Sequence, residues 1–179
     1  DDGAGPVPEG APADPEEMRG CGNAHFREGR YEEAARWYTW ALRAPGSGAA
    51  ARARLLLNRA TALAHVGQLP RVVADCGAAL ELEPRSSKAL LRRALAHEAL
   101  EALPEAREDF RAALAADPCA RAASDGLRRV ARAEAALGEA TAREGRALER
   151  AGGPQAGLPS PYRPPMPQFE LRGKSGAAF

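Results

Sequence analysis

Five residues carry the most chemistry in this sequence: Arg19, Asn23, Asn58, Lys88 and Arg92. Lys88 and Arg92 stand four apart in SSKALLRRALAHEAL, one helical turn along one face, with Arg93 beside them. Like charges so placed cost a helix roughly 0.2–0.5 kcal/mol per pair, so the charge answers to something outside the helix. Arg19 and Asn23 are also four apart, and Asn58 precedes Arg92 by 34 residues. Three cations and two carboxamides, with no acid among them, describe an anion receptor. Desolvated guanidinium and ammonium groups give charge-assisted bonds of about 1.5–3 kcal/mol, and carboxamides orient oxygens or a peptide backbone. A peptide's terminal carboxylate is the natural guest.

Residues this far apart need a scaffold that repeats. ARLLLNRATALAHVGQLPRVVADCGAALELEP and KALLRRALAHEALEALPEAREDFRAALAADP align without a gap, with Pro84 on Pro118, Ala79 on Ala113 and Ala60 on Ala94, each 34 apart. MRGCGNAHFREGRYEEAARWYTWALRAPG joins the frame at a spacing of 38, which puts Gly22 on Ala60 and Ala41 on Ala79 and leaves four extra residues in PGSGAAAR. Apolar and small residues recur at helical spacing on either side of Glu28-Gly29-Arg30, Val66-Gly67-Gln68 and Glu101-Ala102, so each unit reads as two antiparallel helices. Tyr38, Cys76 and Phe110 fill one slot in the second helix of each unit.

This 34-residue helix-turn-helix, with its small, small, aromatic, alanine and proline positions, resembles the tetratricopeptide repeat (TPR). The resemblance implies an all-α solenoid of three units, over about 15–48, 53–86 and 87–120. Apolar positions at Leu127, Val130 and Leu137 with a charged outer face make 121–150 a capping helix, as a stack of three units requires. The acidic, Pro/Gly-rich residues 1–14 lack any periodic pattern and read as a disordered leader in which nothing packs, and 151–179 read as a disordered tail.

In the resembling family the first helix of each unit lines the concave groove, so the five polar residues fall on α-helical first positions that can face one groove. Their pattern is similar to the carboxylate clamp of co-chaperones that bind the Glu-Glu-Val-Asp tail of the cytosolic seventy- and ninety-kilodalton heat-shock proteins. The family clamp has Lys and Asn, three residues intervening, in unit one, Asn in unit two, and Lys and Arg, three residues intervening, in unit three. Here the matching positions are Arg19 with Asn23, then Asn58, then Lys88 with Arg92. Arg19 is the departure, a planar guanidinium where the family has a compact ammonium. Within the family, LLRRALAHEALEALPEAREDFRAAL and SDGLRRV are most similar to clamp units of mitochondrial-import co-chaperones and of sperm-associated antigen type proteins.

The resemblance implies a non-catalytic co-chaperone adaptor, with heat-shock tails and a client or assembly factor as partners. The competing readings are a scaffold whose groove takes another peptide, and the targeting arm of an enzyme. Several function classes find no support in the residues. Lys plus Arg at 25 against Asp plus Glu at 24 leaves a formal charge of +1, so no bulk field draws the molecule to nucleic acid. Three cysteines, Cys21, Cys76 and Cys119, fit neither a disulfide framework nor a zinc site and suit a reducing, cytoplasmic setting. His25, His65 and His97 lie in different units without metal-ligand neighbours, so neither metal, cofactor nor catalysis is expected. Cys76 reads as a core filler, and Arg59 and Arg93, each adjacent to a groove residue, as partners of structural ion pairs. The tail's SPYRPPMPQF reads as a linker, and RGKS lacks the upstream glycine and strand of a phosphate loop. No run of about 18 apolar residues is long enough to span a membrane.

Overall fold

The computed structural model describes residues 4–151. The expectations for the tail at 152–179 and for the first three residues lie outside that range. Seven helices follow one another: α1 (Pro15–Arg27), α2 (Tyr31–Arg43), α3 (Ala49–His65), α4 (Leu69–Leu82), α5 (Ser87–Ala99), α6 (Leu103–Ala116) and α7 (Arg121–Ala151). No strand occurs among the described residues. The arrangement is the all-α TPR solenoid that the repeat spacing predicts.

Local chemistry explains the boundaries. Asp14 caps α1, its carboxylate accepting from the Glu17 amide at 3.3 Å, and Pro15 takes the first helical position, where a missing N–H costs nothing. Each intra-unit turn has a left-handed residue, Gly29 (φ 76°), Gly67 (φ 77°) and Glu101 (φ 61°). The next amide then donates back to the carbonyl five residues earlier: Arg30 to His25 at 3.0 Å, Gln68 to Leu63 at 3.0 Å, Ala102 to His97 at 2.9 Å. These bonds satisfy carbonyls that the helix end leaves unpaired. Glu101 makes the same turn against the steric preference of a side chain.

The helices pack in sequence, and α3 also touches α5 and α5 touches α7. No contact of that extent joins α2 to α4 or α4 to α6. From the second unit onward, first helices therefore approach one another and second helices do not, the sense of curvature that puts first helices on an inner wall. Ala34, Ala41, Ala60, Ala79, Ala94 and Ala113 are all fully buried, because only small side chains allow such close helix approach. Val130, Ala123 and Ala133 seat α7 on the third unit, and beyond Leu137 no described residue is buried.

Two expectations change. The unit boundary expected at residue 53 falls inside α3, which begins at Ala49 and runs 17 residues against 13 in α1 and in α5. Most of the inserted AAAR is helix former and adds a turn rather than a loop. Residues 4 and 5 of the leader also pack. Ala4 is buried, and the Gly5 carbonyl accepts from the Trp40 indole at 3.3 Å and from Arg43 at 3.0 Å. The leader has no periodicity of its own, but α2 offers two donors and an apolar surface that order it.

Candidate functional site: a basic and carboxamide groove

The first helices bring the predicted residues to three adjacent elements, Arg19 and Asn23 on α1, Asn58 on α3, Lys88 and Arg92 on α5. Asn23 and Asn58 meet directly, with the Asn58 amide donating to Asn23 Oδ1 at 3.4 Å. The same oxygen accepts from the Tyr38 hydroxyl at 2.7 Å, so Asn23 Oδ1 is engaged twice and its NH2 is the end that can meet a ligand oxygen. Tyr38 is buried, and burial pushes its hydroxyl pKa up to about 12, so it remains a donor at any ordinary pH. Gly22 makes room for that ring: a Cβ there would lie 2.6 Å from Tyr38 Cε1.

Arg92 is half-buried, and desolvation pushes its guanidinium pKa down. Among the described residues it has neither ion pair nor hydrogen bond, and its neighbour Cys76 is a thiol that burial raises to about 12 and so keeps protonated. A partly desolvated cation with no counterion is costly, and an arriving anion relieves that cost. Lys88, one turn earlier, is exposed and likewise unpaired among the described residues. The basic residue next door behaves differently. Arg93 is bidentate to Asp109 at 2.8 and 2.7 Å, and its equivalent Arg59 to Asp75 at 2.8 and 2.6 Å. Both are structural, as their positions beside the groove residues suggest.

Arg19 is not a free cation. Its guanidinium is bidentate to Glu16 one turn earlier, with Nε donating at 3.0 Å, and this bond holds the Glu16 carboxyl below its usual range. The absence of acids among the five residues concealed this, although the acid three residues before Arg19 is the ordinary signal for such a pair. The sequence reading also passed over Tyr38 as a hydrogen-bond donor. Its place in the core-filling slot accounts for the ring and not for the hydroxyl. Arg92 occupies in α5 the repeat slot that Asn58 occupies in α3.

No protein-family model matches the chain. Among curated proteins it is 42% identical over 122 residues to mitochondrial import receptor subunit TOM34 of Homo sapiens, covering 66% of this chain and 40% of that protein. It is 39% identical over 122 residues to sperm-associated antigen 1 of Mus musculus, covering 66% of this chain and 14% of that protein. The chain thus spans well under half the length of the curated relatives it matches. Two solved TPR domains match over nearly their whole length. The first TPR of Spaghetti (RPAP3), bound to the HSP90 peptide SRMEEVD, superposes with a TM-score of 0.63 at 30% identity, covering 68% of this chain and 94% of that one. The second TPR domain of human RPAP3, in complex with the HSP70 peptide SGPTIEEVD, gives 0.58 at 32% identity, covering 65% and 97%. With the repeat register, the helix order and these likenesses together, the chain belongs to the carboxylate-clamp TPR co-chaperone family.

Proposed function

We propose that the chain is a non-catalytic, cytoplasmic co-chaperone adaptor whose groove binds the free C-terminal carboxylate of acidic, EEVD-type tails of the seventy- and ninety-kilodalton heat-shock chaperones. The observation that carries it is Arg92, half-buried and without a counterion among the described residues, in the repeat slot that Asn58 fills one unit earlier. Asn23 and Asn58 orient the carboxylate oxygens, Lys88 and Arg92 supply the charge, and Arg19 contributes once its pair with Glu16 opens. The RPAP3 domains bound to SRMEEVD and SGPTIEEVD support the ligand class. Few anchoring residues and an exposed setting suit transient docking, at about −7 to −8 kcal/mol or micromolar affinity.

Calorimetric titration with SRMEEVD and SGPTIEEVD, each beside its C-terminally amidated form, tests this. At least one free acid should bind in the micromolar range, amidation should weaken it more than tenfold, and Arg92→Ala should abolish it with helicity intact. If neither free acid binds a folded sample, the groove serves another ligand. The Arg19 to Glu16 pair favours that second reading, a scaffold for a different peptide in the assembly or import of a client, because it withdraws one cation of the clamp.

A further inference from the structure

Resting on the peptide-binding reading above, we infer that Arg54 is a further cation of the groove, one that reads an acidic side chain three residues before the terminal residue of the bound tail. Arg54 precedes Lys88 by 34 residues, so it occupies in α3 the slot that Lys88 occupies in α5. It also lies one turn before Asn58, on the same face of α3. Arg54 and Lys88 are both exposed, and neither has an ion pair or hydrogen bond among the described residues. Their helices touch.

The slot in unit one is Glu16, 38 residues before Arg54. The charge of Arg54 reaches it, adding to the dominant hydrogen bond from Arg19 in favouring the carboxylate. An anion near Arg54 is thus already felt in the free protein. With Arg19 engaged by Glu16, the free positive charge of the row Glu16, Arg54, Lys88 sits in units two and three. Packed helices lie about 8–10 Å apart, and an extended peptide advances about 3.3 Å per residue. Groups facing Arg54 and Lys88 are therefore separated by about three residues of ligand. In a tail ending EEVD, the first glutamate and the terminal aspartate have that separation, which assigns the glutamate to Arg54 and the aspartate to Lys88.

The test compares the 179-residue chain and its Arg54→Ala variant on SRMEEVD, SRMQEVD and SRMEQVD by calorimetry. Arg54→Ala should weaken SRMEEVD and SRMEQVD about three- to fivefold, the range of a solvent-exposed ion pair, and leave SRMQEVD unchanged. The charge swap should rescue: Arg54→Glu should bind SRMKEVD better than SRMEEVD. Equal losses on all three peptides, or a loss that disappears with SRMEQVD instead, would overturn the assignment while leaving the groove's function in place. Failure of the parent chain to bind free-acid SRMEEVD at all would remove the function and the role of Arg54 together.

Discussion

Unit one and the two units after it solve the same packing problem with different chemistry. In units two and three, a bidentate Arg–Asp pair joins first helix to second, Arg59 to Asp75 and Arg93 to Asp109, with Asp75 and Asp109 buried. The equivalent slots of unit one, 38 residues before the first pair, hold Cys21 and Trp37. Both tryptophans and two of the three tyrosines lie in that unit. Trp37 meets Trp40 edge-on at 5.0 Å, and Tyr31 stacks on His65 at 4.2 Å across the junction with unit two. Unit one is therefore held by ring contacts, which tolerate small shifts, and the later units by fixed forks that set helix register. Arg59 ties the two regimes together, since it also donates to Thr39 of α2 at 3.1 Å.

The sharpest way to break this contrast is Asp75→Ala. It strands the half-buried Arg59 beside the site of a buried carboxylate and should cost about 3 kcal/mol in urea unfolding. Replacing both partners at once, Arg59→Met with Asp75→Leu, should cost far less, because no charge is left unpaired. A similar loss for single and double replacement would mean that the pair acts through packing alone.

Next in size are two glycines that face rings. A Cβ at Gly126 would lie 2.4 Å from Phe110 and one at Gly22 2.6 Å from Tyr38. Alanine at either should cost about 1–3 kcal/mol by overpacking. The two should part company in peptide titration: Gly22→Ala shifts the ring whose hydroxyl holds Asn23 and should weaken the tail, whereas Gly126→Ala disturbs only the seating of α7. Equal affinities in the two variants would detach Tyr38 from the site.

Smallest is Glu101→Gly in the third turn. It relieves a left-handed residue and should raise stability by about 1 kcal/mol, read as a higher thermal midpoint, with no change in affinity. No gain would indicate that the Glu101 side chain contributes contacts that offset its backbone cost.

Periodicity made most of the architecture legible. A fixed 34-residue spacing exposed the units, and Gly29 and Gly67 marked turns because left-handed backbone selects glycine. The same spacing identified Arg59 and Arg93 as a class distinct from their neighbours Asn58 and Arg92. The same spacing also puts Arg54 in the slot of Lys88. What remained hidden depends on contacts without a period. The hydroxyl of Tyr38 on Asn23 spans 15 residues, and the Gly5 carbonyl on Trp40 spans 35. Neither pair lies on a common helix face, so no pattern along the chain announces it.

The packing of Ala4 and Gly5 bears on where this folding unit starts. Counted in helices, the domain begins at Pro15, and a protease or a gene boundary that cut there would leave every repeat intact. Such a cut would nonetheless uncover Trp40, which is only 7% exposed in the presence of the leader, and leave its indole N–H without the carbonyl it now meets. Ala4 and Gly5 thus cover the outer side of the first unit at Trp40, as α7 covers the third unit at the other end.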